Sequence, residues 1–428
     1  MAVAQLWIVR RRMHISLIKN EKRLLAIVMA ACCGLLTMNR VVSAQNWTLS
    51  GAPANPWTSI VSSADGSKLV VVSIDDGIFT STNSGSTWLE VSNYSSGSDM
   101  WYPATRGIEW YSVASSADGV KLAAASFDGN GIYDSTNSGA TWQFAGAPSF
   151  SWYGIASSAD GTKLVAVAYY GWHIYATTNS GANWTPLTNF PSQHSANENL
   201  RAIASSADGS KLVAASALYN GQGQICISTN AGQTWMQVTN VSGNWDSVAS
   251  SADGRILAAA PQNDSIYVST NSGTTWSATL TPSEVWVSVA SSADGTKLIA
   301  GSLDVLYTSD DSGITWTSNS VPSGYWNSVA SSADGNERVA VDDSGSGSGL
   351  WSSQTTPAPC LNITPTSDNL TLSWIIPSIN FVLQQNLDLT TTNWTDVTNP
   401  PALKLTNLQY EVTLPLANNS GFYRLAAP

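Results

Sequence analysis

From residue 46 to about 353 the chain alternates short apolar runs with short polar turns, and the order of both repeats. Each unit opens on a stretch such as WDSVASS (245–251), in which apolar and polar positions alternate at the period of a strand. An Ala-Asp-Gly turn follows, then a nearly continuous apolar run such as KLVAA (211–215). A third run of the type IYVST (266–270) reaches a second polar turn, which leads into a Thr-Trp strand. Runs this short, bounded by turn residues, predict an all-β chain.

The string SSADG occurs seven times, with its aspartates at Asp65, Asp118, Asp160, Asp208, Asp253, Asp294 and Asp334. Repeats of this length built from short strands predict a β-propeller. The Asp of each turn can cap its own backbone, and the Gly takes a positive φ at little cost. The seventh unit stops after Gly349–Ser353, its third strand, with no second polar turn or Thr-Trp strand behind it. A matching strand stands at the other end, Asn46–Leu49. The expected architecture is therefore a seven-bladed β-propeller (45–353) closed by its N-terminal strand, which hides two sheet edges.

The second turn recurs as STNSGSTW (81–88), STNSGATW (135–142), TTNSGANW (177–184), STNAGQTW (228–235), STNSGTTW (269–276) and SDDSGITW (309–316). These strings resemble the Asp-box, or BNR repeat, of sialidase-like propellers, with Asn in five copies and Asp311 in the last. The SADG turn resembles the corresponding turn of YVTN and WD40-like blades. Together the resemblance covers residues 46 to about 353. It implies the fold, an Asn or Asp bonded back to turn amides and a Trp packed over each hairpin; it says nothing of function.

Beyond a proline-bearing linker (354–359), residues 360–428 read as a small β-sandwich of the fibronectin or immunoglobulin type. Runs at 369–374, 381–385, 410–414 and 422–425 alternate at strand period. The first 44 residues read as a secretory signal peptide: a basic leader, an apolar run from Leu24 to Met38, and Val42-Ser43-Ala44 before the cut. Secretion or another extracytoplasmic location follows. Lipid anchoring at Cys32 is the alternative, although Leu rather than Met29 would be favoured three residues before it.

Composition sharpens this picture. Only 11% of residues are charged, and removing the leader leaves 11 basic against 28 acidic residues, a net charge of −17. No basic stripe exists to neutralise phosphates or anionic lipid, so nucleic acid and membrane surfaces are not expected partners. Cys226 and Cys360, far apart in sequence, read as two small hydrophobes rather than a disulfide framework.

No catalytic, metal or cofactor residues are assigned. A sialidase binds its substrate carboxylate with three arginines, and the propeller has Arg106, Arg201, Arg255 and Arg338. The last two follow SADG turns, and the arginine motif before the first blade is absent, so sialidase activity is not expected. A two-carboxylate glycosidase would draw on loop acids: Asp75, Asp76, Asp99, Glu109, Asp128, Asp246, Asp264, Glu284, Asp304, Asp342 and Asp343. They read as solvated loop charge. His173 and His194, the two histidines after the leader, do not make a metal site.

Tryptophan is more informative. Seven of the residues lie on Thr-Trp-type strands: Trp47, Trp88, Trp142, Trp184, Trp235, Trp276 and Trp316. Six more start the first strands at Trp57, Trp110, Trp152, Trp245, Trp286 and Trp326, with Leu200 in the fourth unit. This second set reads as wedges between blades rather than a ring at the channel. Aromatics outside the repeat fall on the face opposite the SADG turns, where connections vary in length. Trp101, Tyr102, Tyr169, Tyr170, Trp172 and Tyr219 are the candidate ligand-binding residues. Two functions fit: a secreted binding module for a glycan or protein, or a propeller glycoside hydrolase or lyase using loop carboxylates. Near-identity of the units favours the first.

Overall fold

The computed structural model describes residues 46–91, 94–95, 107–191, 199–218, 223–322, 324–343, 349–355, 360–366, 369–377, 381–387, 393–415 and 422–426. Among these residues every regular element is a strand, and no helix is long and apolar enough to cross a membrane. In the first unit the strands Trp57–Ser62, Leu69–Ser73, Gly77–Ser81 and Leu89–Glu90 pair antiparallel in that order. Later units repeat the plan. The second adds a parallel strand, Tyr94–Ser95, outside Trp142–Phe144. The fifth and sixth are bridged where Gln262 and Asp264 pair with Val285 and Glu284.

Apolar packing lies between successive units. Leu69–Ser73, Leu122–Ser126 and Leu164–Ala168, the second strands of the first three units, are buried at every position, because each is covered on both faces. All six first-strand tryptophans are fully buried. Trp110 packs on Val70, Val72 and Ile78 of the preceding unit, and Trp57 on Val339, Val341 and Leu350 of the last. They are wedges between units, as their periodicity implies, and leave the channel to other side chains.

Both turns use the chemistry that their residues suggest. Asp65 Oδ1 accepts the Ser67 amide at 3.0 Å and the Ser63 hydroxyl at 2.6 Å, with Gly66 at φ 74°. In the second unit Asn137 Oδ1 accepts the Thr141 amide at 2.9 Å, Ser135 Oγ accepts the Gly139 amide at 3.0 Å, and Trp142 Nε1 donates to the Gly139 carbonyl at 3.1 Å.

The SADG alanines tie the units into a ring. Ala64 N donates to Ala117 O, Ala117 to Ala159, and so on through Ala207, Ala252, Ala293 and Ala333, whose N–H returns to Ala64 O at 2.7 Å. Lysines of the repeat reinforce the seams: Lys68 Nζ donates to Asp118 O at 2.8 Å, and Lys163 Nζ to Asp208 O at 2.6 Å. At the outer edge Thr48 and Leu49 pair with Ser352 and Trp351 of the strand Gly349–Gln354. In the seventh unit Glu337 and Arg338 replace the usual Lys-Leu pair. Both are buried, and Arg338 Nη2 donates to Asp310 Oδ1 at 2.6 Å.

The C-terminal residues form two sheets. One orders the strands Asn362–Pro365, Asn369–Ile375, Gln409–Pro415 and Ala402–Lys404; the other orders Thr395–Asp396, Val382–Asn386 and Phe422–Ala426. Leu372, Trp374, Leu383 and Val412 are buried together. Ile376, with Ile375, Leu405, Leu408 and Tyr410, packs directly on the alanine ring. Among the described residues, the SADG end of the ring is therefore covered. Cys226 is buried and Cys360 exposed.

Candidate binding site at the channel mouth

Every first strand slips register immediately after its opening Trp or Leu. The shift falls between residues 57 and 59, 110 and 112, 152 and 154, 200 and 202, 245 and 247, 286 and 288, and 326 and 328. A β-bulge re-aims the extra residue. Here those residues are Thr58, Tyr111, Tyr153, Arg201, Asp246, Val287 and Asn327, and all of them line one cavity of about 270 Å³. The repeat is otherwise nearly constant, yet this position differs in almost every unit.

Two walls result. On one side the Tyr111 hydroxyl donates to the Tyr153 hydroxyl at 2.9 Å, and the two rings lie 4.3 Å apart. Phe127 packs 5.4 Å from Tyr111, Tyr169 lies 5.0 Å from Tyr153, and Tyr170 meets Tyr169 edge-on at 4.6 Å. Burial pushes the Tyr111 and Tyr153 hydroxyls above their ordinary range, so both stay protonated. On the other side Arg201 and Asp246 form an ion pair, and Gln262 Nε2 donates to the second Asp246 oxygen at 2.6 Å. Burial holds the Asp246 carboxyl above its usual range despite Arg201. For Arg201, burial opposes the charge, but Asp246 outweighs it and raises its pKa. Tyr325 stands at the rim, 43% exposed.

Hydroxyls one residue deeper stitch the same seams. Ser59, Ser112, Ser247, Ser288 and Ser328 each accept an amide of the following unit at 3.1–3.3 Å. Gly154 and Ala202 occupy this place in the third and fourth units and have no hydroxyl to supply. The mouth is thus least uniform around Arg201.

Of the residues named from the sequence, Tyr169 and Tyr170 belong to this tyrosine wall. Trp172 goes elsewhere: half-buried, it sits 5.8 Å from Phe190 and packs on the core between the third and fourth units. Trp101, Tyr102 and Tyr219 lie outside the described residues, as do Asp99, Arg106 and His194. His173 stacks on Phe150 at 4.4 Å. Among the described residues no three His, Cys, Asp or Glu side chains are grouped to hold a metal. Reading the loop acids uniformly as solvated loop charge needs correction. Asp246, Asp264, Glu284 and Asp342 are on strands, and Asp342 is buried, because the strands run further toward this face than their apolar cores indicate.

Tyr111 and Tyr153 are not among the residues singled out from the sequence, and Arg201 and Asp246 are named there only as an isolated arginine and a loop acid, not as a pair. Their signal lies inside the repeat, at a variable position next to the buried Trp or Leu of each first strand.

No family model and no curated protein matches this chain. Solved structures do, at low identity. YCF48 bound to D1 peptide aligns with 74% of this chain and 98% of its own, at 16% identity and a TM-score of 0.53. The β-propeller domain of Myceliophteria thermophila Cps50 (Swd1) covers 73% of this chain and 100% of its own, at 15% identity and a TM-score of 0.55. The WD40 repeats of RRP9 cover 73% and 99%, at 14% identity and a TM-score of 0.57. This chain has a β-propeller fold.

Proposed function

We propose that the chain is an exported, non-catalytic binding protein. In this reading a seven-bladed propeller, completed by the N-terminal strand and stoppered by a C-terminal β-sandwich, takes a glycan or protein ligand over its open mouth. The carrying observation is the seven bulged residues: a position free to vary within a constant repeat supplies the cavity lining. Variation confined to the lining is what recognition requires, while the packing beneath stays the same. The ring from Ala64 to Ala333 supports the blade count, and the two C-terminal sheets around Trp374 support the sandwich. A similar fold carries a bound peptide in YCF48, which supports a peptide or protein ligand here.

A glycosidase needs two carboxylates facing across a cleft. Asp246 is the one carboxylate among the described residues lining the cavity, and it faces Arg201 and Gln262. Binding is therefore favoured over hydrolysis. The test is a panel of glycans and extracellular proteins scored for both binding and turnover. Binding without turnover, weakened by Tyr170→Ala or Tyr325→Ala, is the expected result. Turnover abolished by Asp246→Asn would overturn the reading.

A further inference from the structure

We propose that the mouth recognises a basic protein segment, an extended chain whose Arg or Lys side chain lies against the tyrosine wall. This rests on the mouth being the binding site. The basic residues of the propeller repeat gather on one face, where the seven SADG aspartates accompany them. The repeat's lysines, from Lys68 to Lys297, and Arg255 and Arg338 all follow SADG turns and belong to the covered face. The described loop acids lie on the open face, where Asp75, Glu109, Asp128, Asp264 and Asp304 are exposed. Arg201 is the one lysine or arginine on that face among the described residues, and Asp246 neutralises it.

Exposed carboxylates on four units of the face that carries the aromatic mouth, where the one described cation is already paired, attract cations and repel anions, acidic glycans included. Tyr170, 63% exposed, and Tyr325, 43% exposed, offer ring faces to a guanidinium or ammonium group. With the alanine ring covered by C-terminal residues at the SADG end, the mouth suits an inserted side chain better than a threaded chain. The exposed carboxylates belong to the first, second, fifth and sixth units. Charges so distributed around a rim match several cations along a polypeptide better than one compact ligand. A neutral sugar would gain nothing from them.

The test uses the full chain and four probes: an Arg-Gly repeat peptide, a Glu-Gly peptide of equal length, spermine and a neutral oligosaccharide. Affinities are measured by calorimetry at low and moderate salt. The Arg-Gly peptide is expected to bind at least tenfold more tightly than the others and to weaken at least tenfold as salt rises. Tyr170→Ala, and separately the pair Asp128→Asn with Asp304→Asn, should each weaken it at least fivefold while shifting the melting temperature by no more than about a degree. Arg-Gly binding indifferent to Tyr170→Ala would be charge attraction elsewhere and would overturn the inference. Tyr170-dependent binding of the Glu-Gly peptide or the sugar would leave the mouth as the site and overturn its basic specificity. Spermine binding as tight as the peptide's would overturn the commitment to a protein chain. If no probe binds, the basic-segment inference fails; the wider panel then tests the mouth independently.

Discussion

Arg201 and Asp246 occupy the same bulged position in successive units, 45 residues apart in the chain, and meet as an ion pair at the channel mouth. Their side chains are 21% and 12% exposed, so each has left most of its water for the other. Removing one partner would leave the second charge poorly solvated. A double-mutant cycle of Arg201→Gln and Asp246→Asn, read by urea denaturation, should give a coupling of about 1–3 kcal/mol, above the ~0–1 kcal/mol of exposed pairs. A coupling near zero would mean that the pair contributes no more than surface charge.

Two glycines separate backbone strain from crowding. Gly139 has φ 83°, and a Cβ there would stand 2.6 Å from Thr80 Cγ2; Gly107 has φ 85° and open space around it. Gly107→Ala should cost about 1 kcal/mol, the left-handed penalty alone. Gly139→Val adds a branched side chain and a clash, and should cost roughly 3 kcal/mol or more. Equal losses in the two variants would contradict this assignment.

Deleting residues 45–50 removes the strand Thr48–Leu49 and bares the edge of Gly349–Gln354. The alanine ring does not depend on that strand, so folding should survive. A melting temperature lowered by about 5 °C or more, with aggregation on heating, is expected. An unchanged melting curve would show that the outer strand adds nothing.

Burial, with Asp334 and Asp65 nearby, pushes the Glu337 carboxyl up to about 8, against the help of the Ser84 hydroxyl. The unfolded chain ionises it near the ordinary 4.5. Folding therefore takes up a proton between pH 4.5 and 8, and this contribution to stability falls across that window before levelling off. Glu337→Gln should flatten the decline, raise stability at pH 7 by about 1–3 kcal/mol and change little at pH 4. Denaturation curves from pH 4 to 9 decide it; a slope that persists in the variant places its origin elsewhere.

Trp172 and Tyr170 are two residues apart but differ in role. Trp172 packs on the core beside Phe190, whereas Tyr170 is 63% exposed. Trp172→Ala should lower the melting temperature by several degrees, as should Trp184→Ala, while Tyr170→Ala should shift it by about a degree. Thermal melts of the three variants are sufficient. A stable Trp172→Ala protein would return that ring to the list of ligand contacts.

Turn chemistry and strand order could be read along the chain because their causes are local. Asp65 caps the Ser67 amide two residues on, Ser135 and Asn137 cap theirs within four, and a glycine takes a positive φ in each turn. The fate of the first-strand tryptophans followed too, since a large apolar residue at a fixed place in every unit can be buried only against the next unit. Tertiary structure alone decided the mouth. Tyr111, Tyr153, Arg201 and Asp246 lie 42 to 48 residues from their neighbours in the series and come together only when the units curve into a ring. No local pattern marks a bulge that turns a side chain from a sheet face toward the channel. Likewise, the packing of Ile376 and Leu408 on seven distant alanines depends on where the last strand releases the chain, which no spacing in the sequence records.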